Sequence, residues 1–167
     1  MSYKNLTKQI TLPPDFTAPR ELSFDDITAR PLSRKDLADD LAGVNSSIKI
    51  IQQTRGGSWP TEQLEEDFDL LDLAWHEREF RDGNSFAYVV YNTTGEYIGC
   101  FYLYGIGIRN ELTEELLNYD VDASWWVTAT AYDKGYYEKL YKALQQWLAK
   151  DFPFTQVYYS NKQIPQE

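Results

Sequence analysis

Residues 120–152 read DVDASWWVTATAYDKGYYEKLYKALQQWLAKDF, and the fold turns on how this stretch divides. Val121, Ala123, Trp125, Trp126 and Val127 make a β-favouring apolar run, so the stretch opens as a strand. After a connector containing Gly135 the period changes. Tyr137, Leu140, Tyr141, Leu144, Trp147 and Leu148 fall at i, i+3, i+4 and i+7, one apolar face of a long helix. Glu138, Lys139, Lys142, Gln145, Gln146 and Lys150 take the opposite face. A strand feeding a helix through a glycine turn presents backbone N–H groups at the positive end of the helix dipole, a place suited to a phosphate. A lone glycine also serves simply to ease a turn.

Composition bounds the rest. A chain of 167 residues is long enough for one domain with a full core, and 43% hydrophobic with 16% aromatic residues excludes disorder. The 13 Tyr and 5 Trp point to heavy aromatic packing, a pocket, or both. A net charge of −10 argues against nucleic acid and suits an amine-bearing partner. One cysteine, Cys100 in an apolar run, excludes a disulfide within the chain and a cysteine-based metal site, and no metal is expected. The first residues lack the basic-then-apolar pattern of a leader, and no apolar run approaches the roughly 18 residues of a membrane span. The expectation is a cytoplasmic protein without membrane contact.

Outward from residues 120–152, the order predicted is β, α, α, β, β, β, α, β. Residues 1–22, with Pro13, Pro14 and Pro19, read as an extended arm. Ile27–Leu32 is a first strand stopped by Pro31, after which Ser33 caps a helix and Asp36 completes a capping box. A short helix covers Ser47–Gln53. A longer one covers Glu62–Phe80, with Thr61 as N-cap and Leu64, Phe68, Leu71 and Trp75 as its buried stripe. Acidic residues at its start and His76, Arg78 and Arg81 at its end match the helix dipole. Phe86–Tyr91 and Tyr97–Tyr104 form a hairpin through residues 92–96, apolar on both faces, with Gly99 marking a bulge or close backbone approach. Thr155–Tyr159 is a last strand, able to run parallel to the one before the long helix. Two parallel strands diverging beside a helix N-terminus would form a slot for a phosphorylated cofactor.

The segments ITARPLSRKD (27–36), FAYVVYNTTGEYIGCFYLY (86–104), ASWWVTATAYDKGYYEKLYKALQQWL (123–148) and FTQVYYSN (154–161) together resemble the GCN5-related N-acetyltransferase (GNAT) superfamily. The run DLAWHEREF (72–80) with SFAYVV and IGCFYLY also resembles a short bacterial acetyltransferase-like subgroup. The resemblance implies an α+β fold, layered α/β/α: a mixed, mostly antiparallel twisted sheet with a central β-α-β cofactor unit. It spans residues 23–167 and is truncated at the C-terminal end relative to the superfamily. It also implies N-acetyl transfer from acetyl-CoA, as cosubstrate, to a small-molecule or peptide amine. Trp126, Val127 and Thr128 would face the thioester. Tyr132, Asp133, Lys134, Gly135, Tyr136 and Tyr137 would cradle the pyrophosphate, and Asn161 completes the cofactor set.

This chain departs from the superfamily's loop, Arg or Gln, two residues, Gly, one residue, then Gly or Ala. Here Tyr132 and Tyr137 stand at the outer positions and only Gly135 is kept. Tyr137 puts bulk where a backbone should approach a phosphate, and Lys134 could supply compensating charge. The candidate base or amine-binding carboxylate is Asp122; otherwise it is an exposed strand carboxylate. Glu79 and His76 are second choices, His76 otherwise being a hydrogen-bonding residue at a helix end. Tyr158 or Tyr159 is the candidate acid, and Trp59, Trp75, Trp125 and Trp126 line an acceptor pocket or fill the core. The altered loop and missing final strands also fit a catalytically inactive GNAT-like interaction domain, and the free sheet edge suggests a homodimer. A third reading is an unrelated α+β domain with an incidental glycine turn.

Overall fold

The computed structural model describes residues 2–166; Met1 and Glu167, at the outer ends of the expected arm and domain, lie outside them. The six strands form one sheet ordered as in the chain: β1 (Leu22–Phe24), β2 (Ile27–Pro31), β3 (Phe86–Asn92), β4 (Tyr97–Tyr104), β5 (Val121–Val127) and β6 (Val157–Tyr159). Successive pairs are antiparallel except β5 and β6, which are parallel. Helices α1 (Leu37–Asn45), α2 (Ile48–Thr54) and α3 (Glu66–Asp82) lie between β2 and β3 in the chain, and α4 (Ala129–Asp133) and α5 (Tyr136–Lys150) between β5 and β6. The α5 face of the sheet is packed by Tyr88, Phe101, Trp125, Leu140, Leu144 and Trp147. The other face is packed by Val44, Ile51, Leu73, Val89, Cys100 and Trp126. This is the α+β, mixed and mostly antiparallel sheet read from the sequence.

Local chemistry explains the element ends. The Ser33 hydroxyl accepts from Lys35 N–H while the Asp36 carboxylate accepts from Ser33 N–H, a capping box that starts a helical turn leading into α1. The Asn92 side chain accepts from the N–H groups of Thr94 and Glu96 and holds the β3–β4 turn. At Gly99 a Cβ would lie 2.0 Å from the Trp126 carbonyl oxygen, so β4 and β5 approach where only glycine fits.

Several expectations need correction. α3 runs from Glu66, not Glu62, and Thr61 is not its N-cap; Glu65 is. Its buried residues are Asp69, Leu73 and His76, while Phe68, Leu71 and Trp75 are 58%, 71% and 40% exposed. The stripe that faces in carries Leu73 into the core and sets Asp69 beside Asp40 of α1 and His76 beside Tyr102 of β4. A short helix, α4, lies between β5 and α5, so the glycine turn follows a helix and not the strand itself. β1 has no counterpart in the sequence reading: a three-residue strand inside a polar, proline-rich stretch carries no period. Its antiparallel pairing with β2 supplies the order that propensity does not. β6 begins at Val157 and not Thr155.

The residues before β1 lie along the protein: Ile10, Leu12, Phe16 and Ala18 pack on the α5-side core, and Lys8 pairs with Ile106. Among the described residues no helix is long and apolar enough to cross a membrane.

Two glycines separate close packing from backbone strain. Gly99→Ala is expected to cost about 2–3 kcal/mol or more, because the carbonyl of Trp126 is backbone and must move. Gly95→Ala, at φ 86° with open space around it, should cost only about 1 kcal/mol. Urea denaturation of the two variants measures both.

Candidate functional site

β5 is buried along its whole length, so each polar group on it must find a partner inside the protein. Its even-numbered side chains, Asp122, Ser124 and Trp126, stand opposite Tyr104, Tyr102 and Cys100 of β4. Asp122 is 2% exposed, not the exposed strand carboxylate of the alternative reading. Its Oδ1 accepts from Ser160 Oγ at 2.6 Å, and Ser160 Oγ in turn accepts from Arg109 Nε at 2.9 Å. With its lone pair taken by Arg109, the Ser160 hydroxyl proton is committed to Asp122. Burial pushes Asp122 up to about 6, against the pull of Ser160 and of the Arg109 and Arg55 charges.

Arg55, at the C-cap of α2, donates from Nε to Ser124 Oγ at 3.1 Å and lies 4.5 Å from the Tyr102 ring centroid. Arg109 Nη2 donates to the Arg55 carbonyl, and burial plus the Arg55 charge lower Arg109 to about 10. None of Arg55, Arg109, Ser124 and Ser160 was legible as a site residue. They come from a helix end, a loop, β5 and the residue after β6, with no spacing to join them.

Beyond Ala123 the parallel pair opens. Ser160 N–H donates to the Ala123 carbonyl, after which the backbones are bridged by a side chain. Asn161 Oδ1 accepts from Trp125 N–H at 3.0 Å and Nδ2 donates to the Trp125 carbonyl at 2.9 Å, so one carboxamide satisfies both polar groups of Trp125. Asn161 Nδ2 also donates to Tyr137 Oη at 2.8 Å. Residues 160–163 continue as a strap: Lys162 and Gln163 N–H donate to the Arg55 and Thr54 carbonyls, the Tyr137 hydroxyl donates to the Gln163 carbonyl, and Gln163 Nε2 donates to Tyr132 Oη. Tyr137 is buried, stacked on Trp125 with centroids 5.1 Å apart, and burial pushes its hydroxyl up to about 12.

The remaining cofactor candidates surround the α5 end. Gly135 is exposed at φ 87° with nothing within 4 Å of a Cβ placed there. Asp133 and Lys134 are exposed, but Lys134 is not free charge: its Nζ lies 3.2 Å from a Glu96 carboxylate oxygen. Tyr136 is buried and donates to Asp26. Thr128 caps α4 through Ala131 N–H. Trp126 and Val127 are buried; Trp126 Nε1 donates to Tyr102 Oη on the sheet face away from α5.

The second-choice residues are dispersed. His76 is buried against Tyr102, with Nε2 3.5 Å from Asp72 and no partner at Nδ1. Glu79 shares a cleft of ≈ 450 Å³ with Trp75, Ser85, Tyr104 and Ile108. Tyr158 pairs in register with Asp122 and its hydroxyl is 3.5 Å from Asn110 Nδ2. Tyr159 instead packs between Trp125 and Tyr141, and burial drives its hydroxyl well up. Trp59 lies beside Trp126. Trp125 and Trp126 are core residues on opposite sheet faces and line no common pocket. Among the described residues no His, Cys, Asp or Glu group is arranged to hold a metal ion.

The fold is that of the GNAT acetyltransferases. A structure of RimL, a ribosomal L7/L12 α-N-protein acetyltransferase in complex with coenzyme A, matches with a TM-score of 0.60 at 13% identity, over 78% of this chain and 68% of that one. A GNAT-family acetyltransferase from Bordetella pertussis matches at 0.56 and 18% identity, over 83% and 76%. A ribosomal-protein-S5-alanine acetyltransferase from Vibrio fischeri matches at 0.57 and 11% identity, over 78% and 67%. No family model and no curated protein sequence matches the chain.

Asp122 makes stability pH-dependent with a definite sign. An unfolded aspartate ionises near 3.8, whereas the folded Asp122 keeps its proton to about 6. Its contribution therefore falls as pH rises from about 3.8 to about 6 and is constant above. Asp122→Asn is expected to gain stability relative to the native chain across that window, by at most about 3 kcal/mol. Urea titrations at pH 4, 5, 6 and 7 should show the difference growing and then levelling.

Proposed function

We propose that the chain transfers an acetyl group from acetyl-CoA to a small-molecule or peptide amine. The observation that carries this reading is the opened β5–β6 pair, where the Trp125 N–H and carbonyl are met by the carboxamide of Asn161. The carboxamide seated there supports the reading, since a donor and an acceptor that hold one amide suit another. Coenzyme A carries amides in the arm between its phosphates and its thiol. The other end of the slot supports the reading too, since the turn at Gly135 is exposed and unobstructed beside the start of α5.

Acetyl-CoA, when bound, supplies the activated acyl group as a thioester. Trp125 would hold its arm, and the turn at 132–137 its phosphates, with Lys134 released from an exposed Glu96 pair of little strength. Tyr137 does not block that turn, because its ring is directed inward onto Trp125. What stands in the slot is the strap of residues 160–163, which has to give up its bonds to Trp125 and Tyr137.

The amine must lose a proton to attack. Asp122, ionising near 6, is mostly charged at neutral pH yet close enough in affinity to receive it. It lies three residues from Trp125, about 10 Å along the strand, with Ser124 between them on its own face. Water or the Ser124 hydroxyl would carry the proton over that distance. Ser160 and Arg109 fix the carboxylate, and Tyr158, beside it in register, is the candidate acid. RimL is named for acetylating a protein α-amine, and an amine of that kind is the first acceptor to try here.

Acetyl-CoA at about 100 times its dissociation constant should stabilise the protein by about 2.7 kcal/mol, read as a rise in Tm. Asn161→Ala should lower the Tm of the free protein yet respond more strongly to acetyl-CoA, since the competing carboxamide is gone. No shift in either protein would overturn the reading. With an accepted amine, kcat/KM should rise with pH through about 6, and Asp122→Asn should lose about 10²–10⁴-fold and that inflection together. Full activity in the variant would move the base elsewhere.

A further inference from the structure

Two arginines beside Asp122 and Ser124 carry charge that the described fold does not balance. Arg55 is 6% exposed and Arg109 is partly buried, yet neither makes a salt bridge among the described residues. Arg30, Arg34, Arg78 and Arg81, all exposed, each have a carboxylate within reach. That order reverses what solvation favours, since a buried charge needs an opposite charge more than an exposed one does. The hydrogen bonds of the two guanidiniums end on neutral oxygens. Arg55 has Ser124 Oγ and a weaker bond to the Tyr104 hydroxyl, and Arg109 has Ser160 Oγ and the Arg55 carbonyl.

Asp122 is the carboxylate whose charge both arginines feel, so two guanidiniums against one carboxylate leave a positive charge over. The net charge of −10 suits an ammonium at long range, but at contact these arginines decide. An acceptor amine is itself positive until it loses its proton. Brought to Asp122 past two guanidiniums, a plain amine adds to the excess, whereas an amine that bears a carboxylate cancels it. Arg55 is disposed to receive that carboxylate. Its guanidinium lies over the rings of Tyr102 and Trp59, 4.5 and 5.9 Å from their centroids, which leaves the edge, where the N–H donors point. The strap of residues 160–163 lies over this place, since Lys162 N–H donates to the Arg55 carbonyl and the Lys162 side chain packs on Gly56. The displacement that admits the cofactor therefore also uncovers Arg55.

We propose that the acceptor is an amine that also carries a carboxylate, and that Arg55, with Arg109 beside it, binds that carboxylate. The inference rests on the acetyl-transfer reading and names the acceptor within it. Arg55 is placed for this, because it is bonded to Ser124, the neighbour of Trp125 on β5 and a step on the proton's route to Asp122. The transfer itself is unchanged. The amine nitrogen bonds to the acyl carbon, the C–S bond breaks, Asp122 receives the amine proton, and coenzyme A leaves as its thiolate.

Acceptors paired so that they differ only in the carboxylate test this on the native chain. One set is α-amino acids against the same amines without the carboxylate. The other is amidated peptides with Asp or Glu second against those with Asn or Gln. The acidic member should have the higher kcat/KM, by about 10–100-fold. A preference confined to free amino acids makes the acceptor a small molecule, and one confined to peptides makes it a peptide. Arg55→Gln should erase the preference, chiefly by raising KM for the acidic member. Should that variant not fold, the N-acetylated products decide on the native chain: with CoA present, the acidic product should raise Tm and its neutral counterpart should not. Equal use of both members, or equal binding of both products, by a chain whose Tm rises with acetyl-CoA sinks this inference and leaves acetyl transfer standing. No rise with acetyl-CoA sinks both.

Discussion

Water is excluded from both faces of β5, and most of the polar architecture answers that one constraint. Six polar groups on the strand are met by five internal partners. Asp122 takes Ser160 and Ser124 takes Arg55, while the two indole N–H groups reach the Tyr137 carbonyl and the Tyr102 hydroxyl. The backbone of Trp125, past the point where β6 still pairs, takes Asn161. An unmet group at any of these places would cost about 1–3 kcal/mol. The partners come from α2, β4, α5 and the residues after β6, so satisfying one strand ties four distant segments to it.

The same logic runs less completely on the α1–α3 side. Asp40 accepts from the Tyr97 hydroxyl at 2.8 Å, with Cys100 close by, and Asp69 of α3 is turned toward it. Burial raises both carboxyls; Asp40 raises Asp69 further, whereas the interaction with Asp69 favours the ionised form of Asp40. Neither Asp69 oxygen has a regular hydrogen-bond partner, and His76 Nδ1 and Ser85 Oγ share that condition. Orienting α3 to bury Asp69 and His76 leaves its Phe68, Leu71 and Trp75 outside. This seam is a costly arrangement, and it leaves an apolar helix face exposed.

What the sequence made legible follows from what has a period. The helix from Tyr136 is strongly amphipathic and buries Tyr137, Leu140, Leu144, Trp147 and Leu148 as its spacing says. The hairpin and the parallel return strand are equally plain. α3 misled because Phe68, Leu71 and Trp75 are more apolar than Asp69, Leu73 and His76, and only tertiary contact reverses the choice. At the site, Asp122 and Asn161 stood out through resemblance and position. Arg55, Arg109 and Ser160 did not, because their roles arise from the folding together of a helix end, a loop and a strand end. Tyr137 read as an obstruction on the strength of its size. Its ring direction, which no pattern encodes, clears the turn.

The strap also governs the character of any guest in the slot. Trp125 and Tyr137 are fully engaged before a guest arrives, so entry exchanges hydrogen bonds and adds none. The heat released there should be close to zero, and little selectivity can come from that end. Net attraction must arise where phosphates would meet the start of α5, on a protein carrying a charge of −10. Such an attraction is a balance between a local dipole and a repelling field, and ionic strength acts on the two unequally. Added salt screens the long-range repulsion before it reaches the short-range contact, so a phosphate-bearing guest of the kind proposed would be held better in saline than in dilute buffer.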